Sequence, residues 1–111
     1  MNKKVRKLNA CCLCKGVNFF INGEFRSVTN CHCVQCIKTH GHFAAYTSVI
    51  EENIKFKSQK TLQWFTSSAN AKRGFCNKCG ASIFFKKIGS KAVSLSAGML
   101  RNPTGLTTSS H

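Results

Sequence analysis

The chain has 111 residues, enough for one domain, and a domain of that size buries only about two-thirds of the surface its unfolded chain exposes, so its apolar core is modest. A 42% hydrophobic and 18% charged composition is that of a folded globular protein, and no apolar run is long enough for a membrane-spanning helix. The net charge of +14 comes from 17 Lys and Arg against 3 Asp and Glu, dispersed along the chain apart from Lys3, Lys4, Arg6 and Lys7; this reads as a solvated basic surface, with nucleic acid or an acidic partner as the secondary expectation.

Residues 1–10 read as a basic N-terminal arm. Met1 to Lys7 imitates the head of a signal peptide, but the apolar stretch that follows ends at Lys15 and contains Asn9, so export is not expected. Leu8-Asn9-Ala10-Cys11 resembles a lipoprotein cleavage site without the long apolar segment such a site needs. A cytoplasmic location is the expectation. Residues 11–103 form the domain proper. Stretches rich in β-branched and aromatic residues, separated by Gly, Asn and Ser, predict strands at 17–21, 25–28, 43–49, 53–57, 62–66, 82–86 and 93–97. Asn22-Gly23 suits a two-residue hairpin turn between the first two. Short helical turns are expected at 34–40 and 68–72, too short to organise the fold, which is therefore all-β. The segment 104–111 is a polar tail with little to bury, expected to fray.

Eight cysteines in so short a chain imply either disulfides or metal ligation, and a reducing cytoplasm favours metal. They fall into Cys12-Leu13-Cys14, Cys31-His32-Cys33-Val34-Gln35-Cys36 and Cys76-Asn77-Lys78-Cys79-Gly80, with Cys11 left over. A Cys-x-x-Cys-Gly turn is a zinc knuckle: both sulfurs point one way and glycine permits the tight turn. Cys-x-Cys is also a metal hook, because alternate residues of an extended segment share a face. Cys12, Cys14, Cys76 and Cys79 together make a closed tetrahedral site. Cys31, Cys33 and Cys36 then offer three thiolates, and a site with three protein ligands keeps a position for water or substrate. Two alternatives remain open: His32, His40 or His42 closes a Cys₃His site, or Cys33 and Cys36 join Cys76 and Cys79 in one zinc ribbon. Seven thiolates on two zinc ions lower the working charge to about +11. Cys11 is expected to pack as a small apolar residue or lie exposed, a redox or metal-buffering role being the lesser expectation.

These motifs, together with Val17, Phe19, Lys38, Gly41-His42-Phe43, Trp64, Ser67-Ser68, the run from Arg73 to Phe84, Gly98 and Pro103, resemble the family of glutathione-dependent formaldehyde-activating enzymes and centromere protein V over nearly the whole chain. The resemblance implies a small β-tent fold of twisted antiparallel sheets and two zinc ions. It makes Cys12, Cys14, Cys76 and Cys79 structural ligands and Cys31, Cys33 and Cys36 ligands of a catalytic zinc. The implied activity is a carbon–sulfur lyase reaction joining glutathione sulfur to formaldehyde. Relatives often have glycine where this chain has Lys15 and a basic residue where it has Ile37, and they usually continue beyond the position of His111.

Three thiolates give a zinc centre one net negative charge, which makes it a weak Lewis acid towards a carbonyl. Its expected task is to deprotonate a substrate thiol, which then attacks a small aldehyde. Lys38, His40 and His42 are expected to offset charge, bind a substrate carboxylate or relay a proton.

Overall fold

The structure, a computed structural model, describes residues 4–110. Ten strands dominate: β1 (Lys4–Cys11), β2 (Val17–Phe25), β3 (Val28–Cys31), β4 (Ala44–Ile50), β5 (Ile54–Gln59), β6 (Leu62–Ser68), β7 (Ala71–Cys76), β8 (Ser82–Lys87), β9 (Ala92–Ser96) and β10 (Thr108–Ser110), with one helix, α1 (Val34–His40). Among these residues no helix is long and apolar enough to cross a membrane. Strands β1-β2-β5 form one sheet, and β10-β3-β4-β9-β8-β7-β6 form a second. Pairing is antiparallel except for β10 on β3, which is parallel. The all-β expectation holds.

The core lies between the sheets and follows from alternation along the strands. Val17, Phe19, Ile21 and Phe25 turn inward from β2, meeting Ile83 and Phe84 of β8, Val93 and Leu95 of β9 and Val49 of β4. Phe19 has its ring centroid 5.4 Å from both Phe56 and Phe84, so it joins the two sheets. Burying a side chain of this size contributes roughly 1.5–3 kcal/mol.

Several expectations change. Asn22-Gly23 is not a hairpin turn: β2 runs straight through it to Phe25. Gly23 serves a close approach instead, since a Cβ there would lie 2.4 Å from the Asn53 side-chain nitrogen. The strand predicted at 25–28 is broken at residues 26–27, where the chain leaves the first sheet after Phe25 and enters the second at Val28. Thr47 donates its hydroxyl to the Arg26 carbonyl (2.6 Å) and the Arg26 amide reaches the Ser48 carbonyl (3.2 Å), which fixes the crossing.

Residues 4–10 are no arm but most of β1, paired residue by residue with β2; residues 1–3 lie outside the described residues. Leu8 and Ala10 pack on the core, and the Asn9 carbonyl accepts the Arg101 amide (2.9 Å). The polar tail is tied down as well. The Arg6 guanidinium donates to the Thr104 carbonyl, the Val28 amide donates to the Thr107 carbonyl (2.7 Å), and Ser27 and Ser109 hydroxyls meet at 2.7 Å. A largely polar segment thus orders through its hydrogen bonds, helped by Leu106, which packs against the core. The helical turn expected at 68–72 is the tight connection between β6 and β7. Strand β7, missing from the predicted set, is obscured in sequence by Lys72, Arg73 and Gly74, yet its Ala71, Arg73, Gly74 and Cys76 are buried.

Candidate metal centre

Two groups of sulfurs emerge from this topology, Cys12, Cys14, Cys76 and Cys79 in one and Cys31, Cys33 and Cys36 in the other, the ligand atoms of each lying within 4.8 Å of one another. The zinc-ribbon alternative, mixing Cys33 and Cys36 with Cys76 and Cys79, is overturned: the β-sheet places those pairs in separate groups. Cys11 belongs to neither. It is half-buried at the end of β1, opposite Asn18.

The four-cysteine group joins the sheets. Cys12 and Cys14 follow β1 of the first sheet, while Cys76 ends β7 of the second and Cys79 lies in the turn before β8. Sulfur separations of 3.7 Å (Cys12–Cys14) and 3.5 Å (Cys14–Cys76) are far beyond a disulfide bond. They suit a tetrahedral ion with metal–sulfur bonds of about 2.3 Å, which sets sulfurs about 3.8 Å apart. Amide groups aim at the sulfurs as a thiolate site requires: Val17 donates to Cys12 (3.4 Å), and Lys78 and Cys79 donate to Cys76 (3.4 and 3.3 Å). Burial pushes the Cys76 thiol up, but those amides and the Thr61 hydroxyl outweigh it and hold the thiol at about 5. Burial instead dominates at Cys12, raised to about 11. Gly80, with φ of 80°, makes the knuckle turn, and its amide bonds to the Cys76 carbonyl (2.9 Å).

The three-cysteine group is built at the β3–α1 junction. Cys31 ends β3 opposite Ala44; Cys33 caps α1, its sulfur accepting the Cys36 amide (3.4 Å); Cys36 occupies the first turn and is buried. The helix ends where the Gly41 amide bonds to the Ile37 carbonyl (2.9 Å). The Cys36 amide lowers the Cys33 thiol, whereas burial and proton sharing with Cys33 and Cys31 raise Cys36 to about 12 against the pull of Arg73. The donor set fits a thiophilic ion with three protein ligands.

No histidine stands in this group among the described residues. The His40 imidazole instead bonds to the Tyr46 hydroxyl (3.0 Å), His32 stacks on Phe43 with centroids 5.3 Å apart, and His42 meets Phe43 edge-on. Burial and the Arg73 charge both lower His40. Of the three expected helper residues, His40 lines a cleft of about 310 Å³ with Thr39, Phe65, Arg73, Phe75 and Ser82. Lys38 and His42 are exposed and do not line it.

Residues to which the sequence assigned no role complete the surroundings. Arg73, buried on β7, donates to Gln35, Thr39, Tyr46 and the Cys36 sulfur. Strand alternation sends Cys76 to one group of sulfurs and Arg73, three positions earlier, to the other. A buried cation in a strand of mixed polarity was the available signal, visible only once β7 is recognised.

Comparison with known proteins agrees with this geometry. No curated protein sequence matches the chain. A crystal structure of a Rhodobacter sphaeroides protein, a structural-genomics target, is similar in fold, with a TM-score of 0.65 and 15% identity, covering 91% of this chain and 99% of that one. The family described as glutathione-dependent formaldehyde-activating enzyme matches residues 7–111. With that match across both groups of sulfurs, the chain belongs to the glutathione-dependent formaldehyde-activating enzyme family.

Proposed function

We propose that this protein is a zinc-dependent carbon–sulfur lyase of the formaldehyde-activating type, working in a reducing cytoplasm. It adds a thiol such as glutathione to a small aldehyde, or reverses that addition. The carrying observation is the three-cysteine group, with Cys33 exposed, Cys31 half-exposed and, among the described residues, no histidine grouped with them. Bound there by Cys31, Cys33 and Cys36, zinc supplies the deprotonation of the substrate thiol. In the forward direction the sulfur electron pair forms the C–S bond at the aldehyde carbon, the carbonyl π pair moves to oxygen, and that oxygen takes up the proton the thiol gave up, so thiol plus aldehyde gives a hemithioacetal, which for formaldehyde is the S-hydroxymethyl thioether.

The chain's own contributions follow from position. His40, kept neutral by burial beside Arg73, faces the cleft and relays the proton through a ring nitrogen. Lys38, exposed beside the helix end, provides a cationic contact for a carboxylate of a glutathione-like thiol, and the exposed His42 ring offers it a hydrogen-bonding nitrogen. The four-cysteine group holds a second, structural zinc.

The test is spectroscopic and catalytic. Cobalt-loaded protein should change its visible spectrum when glutathione is added, and should accelerate thiol–formaldehyde exchange measured by NMR. A cobalt spectrum indifferent to glutathione refutes the reading. A second reading has one observation in its favour: Lys7 and Lys57 flank the Phe20 ring at 4.6 and 5.9 Å on the first sheet, a cationic patch for nucleic acid or an acidic protein. Binding that weakens steeply with salt, together with glutathione indifference, would favour it.

A further inference from the structure

A buried guanidinium beside a cluster of thiolates calls for an account, because desolvating a cation is costly unless it is paired and hydrogen-bonded. Arg73 is only 7% exposed, and its ring of partners is complete. Nε and Nη2 share the Gln35 side-chain oxygen (both 3.3 Å), and Nη1 donates to the Tyr46 hydroxyl (3.0 Å) and to Thr39 (3.5 Å). Nη2 points at the Cys36 sulfur, 3.7 Å away. The Phe85 ring, 4.8 Å from the guanidinium carbon, closes one face. None of these partners is a carboxylate. The negative charge that matches Arg73 is therefore the thiolate cluster itself.

We propose that Arg73 is the positioning residue of the three-cysteine centre: held by Gln35, Thr39 and Tyr46, it orients the Cys36 sulfur and offsets the negative charge that three thiolates leave on a divalent ion. Cys31 and Cys33 lie towards solvent, which screens them. Cys36 is buried, so its charge needs a donor supplied by the protein. Two of the partners, Gln35 and Thr39, sit on the same short helix as Cys36, so the fork also fixes the helix against β7 and sets where that sulfur points.

This inference rests on metal at the three-cysteine centre and not on the reaction, so its test uses neither thiol nor aldehyde. Zinc affinity is measured by chelator competition, and the thiolate-to-metal charge-transfer bands are recorded on the cobalt-loaded chain. Arg73→Met, close in length and neutral, is expected to weaken one of two zinc ions by about 10–100-fold, the usual effect of removing a group that supports a metal ligand. The other ion keeps its affinity, and the charge-transfer bands move to longer wavelength because the sulfur has lost a cationic donor. Arg73→Lys, retaining charge without the fork, should fall between wild type and Arg73→Met. A lysine variant as weak as the methionine variant overturns the charge-offset role.

A lowered melting temperature with unchanged affinity and spectrum makes Arg73 mere scaffolding and overturns the proposal, as does a wild-type chain that takes up only one ion. Should Arg73→Met fail to fold, Gln35→Leu decides the matter. Gln35 is exposed, and its loss frees the fork while leaving the core untouched. The same band shift, smaller, is expected; an unchanged spectrum refutes the proposal.

Discussion

Replacing Cys12 with serine separates the two groups of sulfurs by their contribution to folding. Cys12 is buried in the main core and reaches across the sheets: its partner Cys14 lies 3.5 Å from Cys76, sixty-two positions along the chain. A structural zinc contributes on the order of 10–16 kcal/mol of apparent binding free energy, while domains have about 5–15 kcal/mol of net stability. Losing even half of the binding energy therefore removes most or all of the net stability. The expected outcome is a chain without a cooperative melt and with one zinc or none by native mass spectrometry. Cys33→Ser is the control: Cys33 is exposed, its group spans only residues 31–36, and it lies outside the main core cluster that contains Cys12. That variant should keep its circular dichroism and melt cooperatively while losing the second zinc and its response to glutathione. A Cys12→Ser chain that melts within a few degrees of wild type would refute the assignment of the four-cysteine group as the staple between sheets. So would a Cys33→Ser chain that unfolds.

Further expectations concern backbone strain and protons. Lys15 holds φ at 65°, where a non-glycine residue pays about 1–2 kcal/mol and glycine does not. Glycine's greater freedom in the unfolded chain returns about 0.4–1 kcal/mol of that, so Lys15→Gly should stabilise by about 0.5–1 kcal/mol, a rise of a few degrees in calorimetry; a lower melting temperature contradicts it. With Cys12 at about 11 and Cys36 at about 12, both hold protons at neutral pH in the metal-free chain. Zinc uptake should therefore release protons into weakly buffered solution, and affinity should rise with pH through neutrality; pH-independent affinity speaks against thiolate ligation. His40 is lowered below 6.5 by burial and by Arg73. Its neutral form is favoured in the folded chain, so its contribution to stability is complete above the unfolded value of 6.5 and is lost as pH falls through the folded value. NMR of the zinc-loaded protein should show the His40 ring titrating below 6.5, and a midpoint above it contradicts the burial beside Arg73.

How much of this was legible in the sequence varies by level. The cysteine motifs were, because ligand spacing is a local property: a Cys-x-Cys or Cys-x-x-Cys-Gly segment presents its sulfurs to one side whatever surrounds it, whereas which motifs share an ion stayed open until the fold grouped them. Most strands were legible through their β-branched and aromatic runs, and α1 through its position after Cys33. The misread segments share a cause. Asn22-Gly23 has turn chemistry, but the approach of Asn53 requires glycine inside a strand. The terminal segments look polar and loose, but β1 has β2 to pair with and β10 has β3.

By itself, then, the sequence determined which residues are able to ligate metal and that the domain is built of strands, since both depend on residue type and short-range spacing. Only the tertiary structure decided that Arg73 stands behind Cys36, that His40 turns to Tyr46 instead of the sulfurs, and that the four-cysteine group ties one sheet to the other. Those facts depend on which strands become neighbours and which face each side chain takes. Such pairings are set by long-range burial and hydrogen bonding between segments tens of residues apart, and no local pattern encodes them.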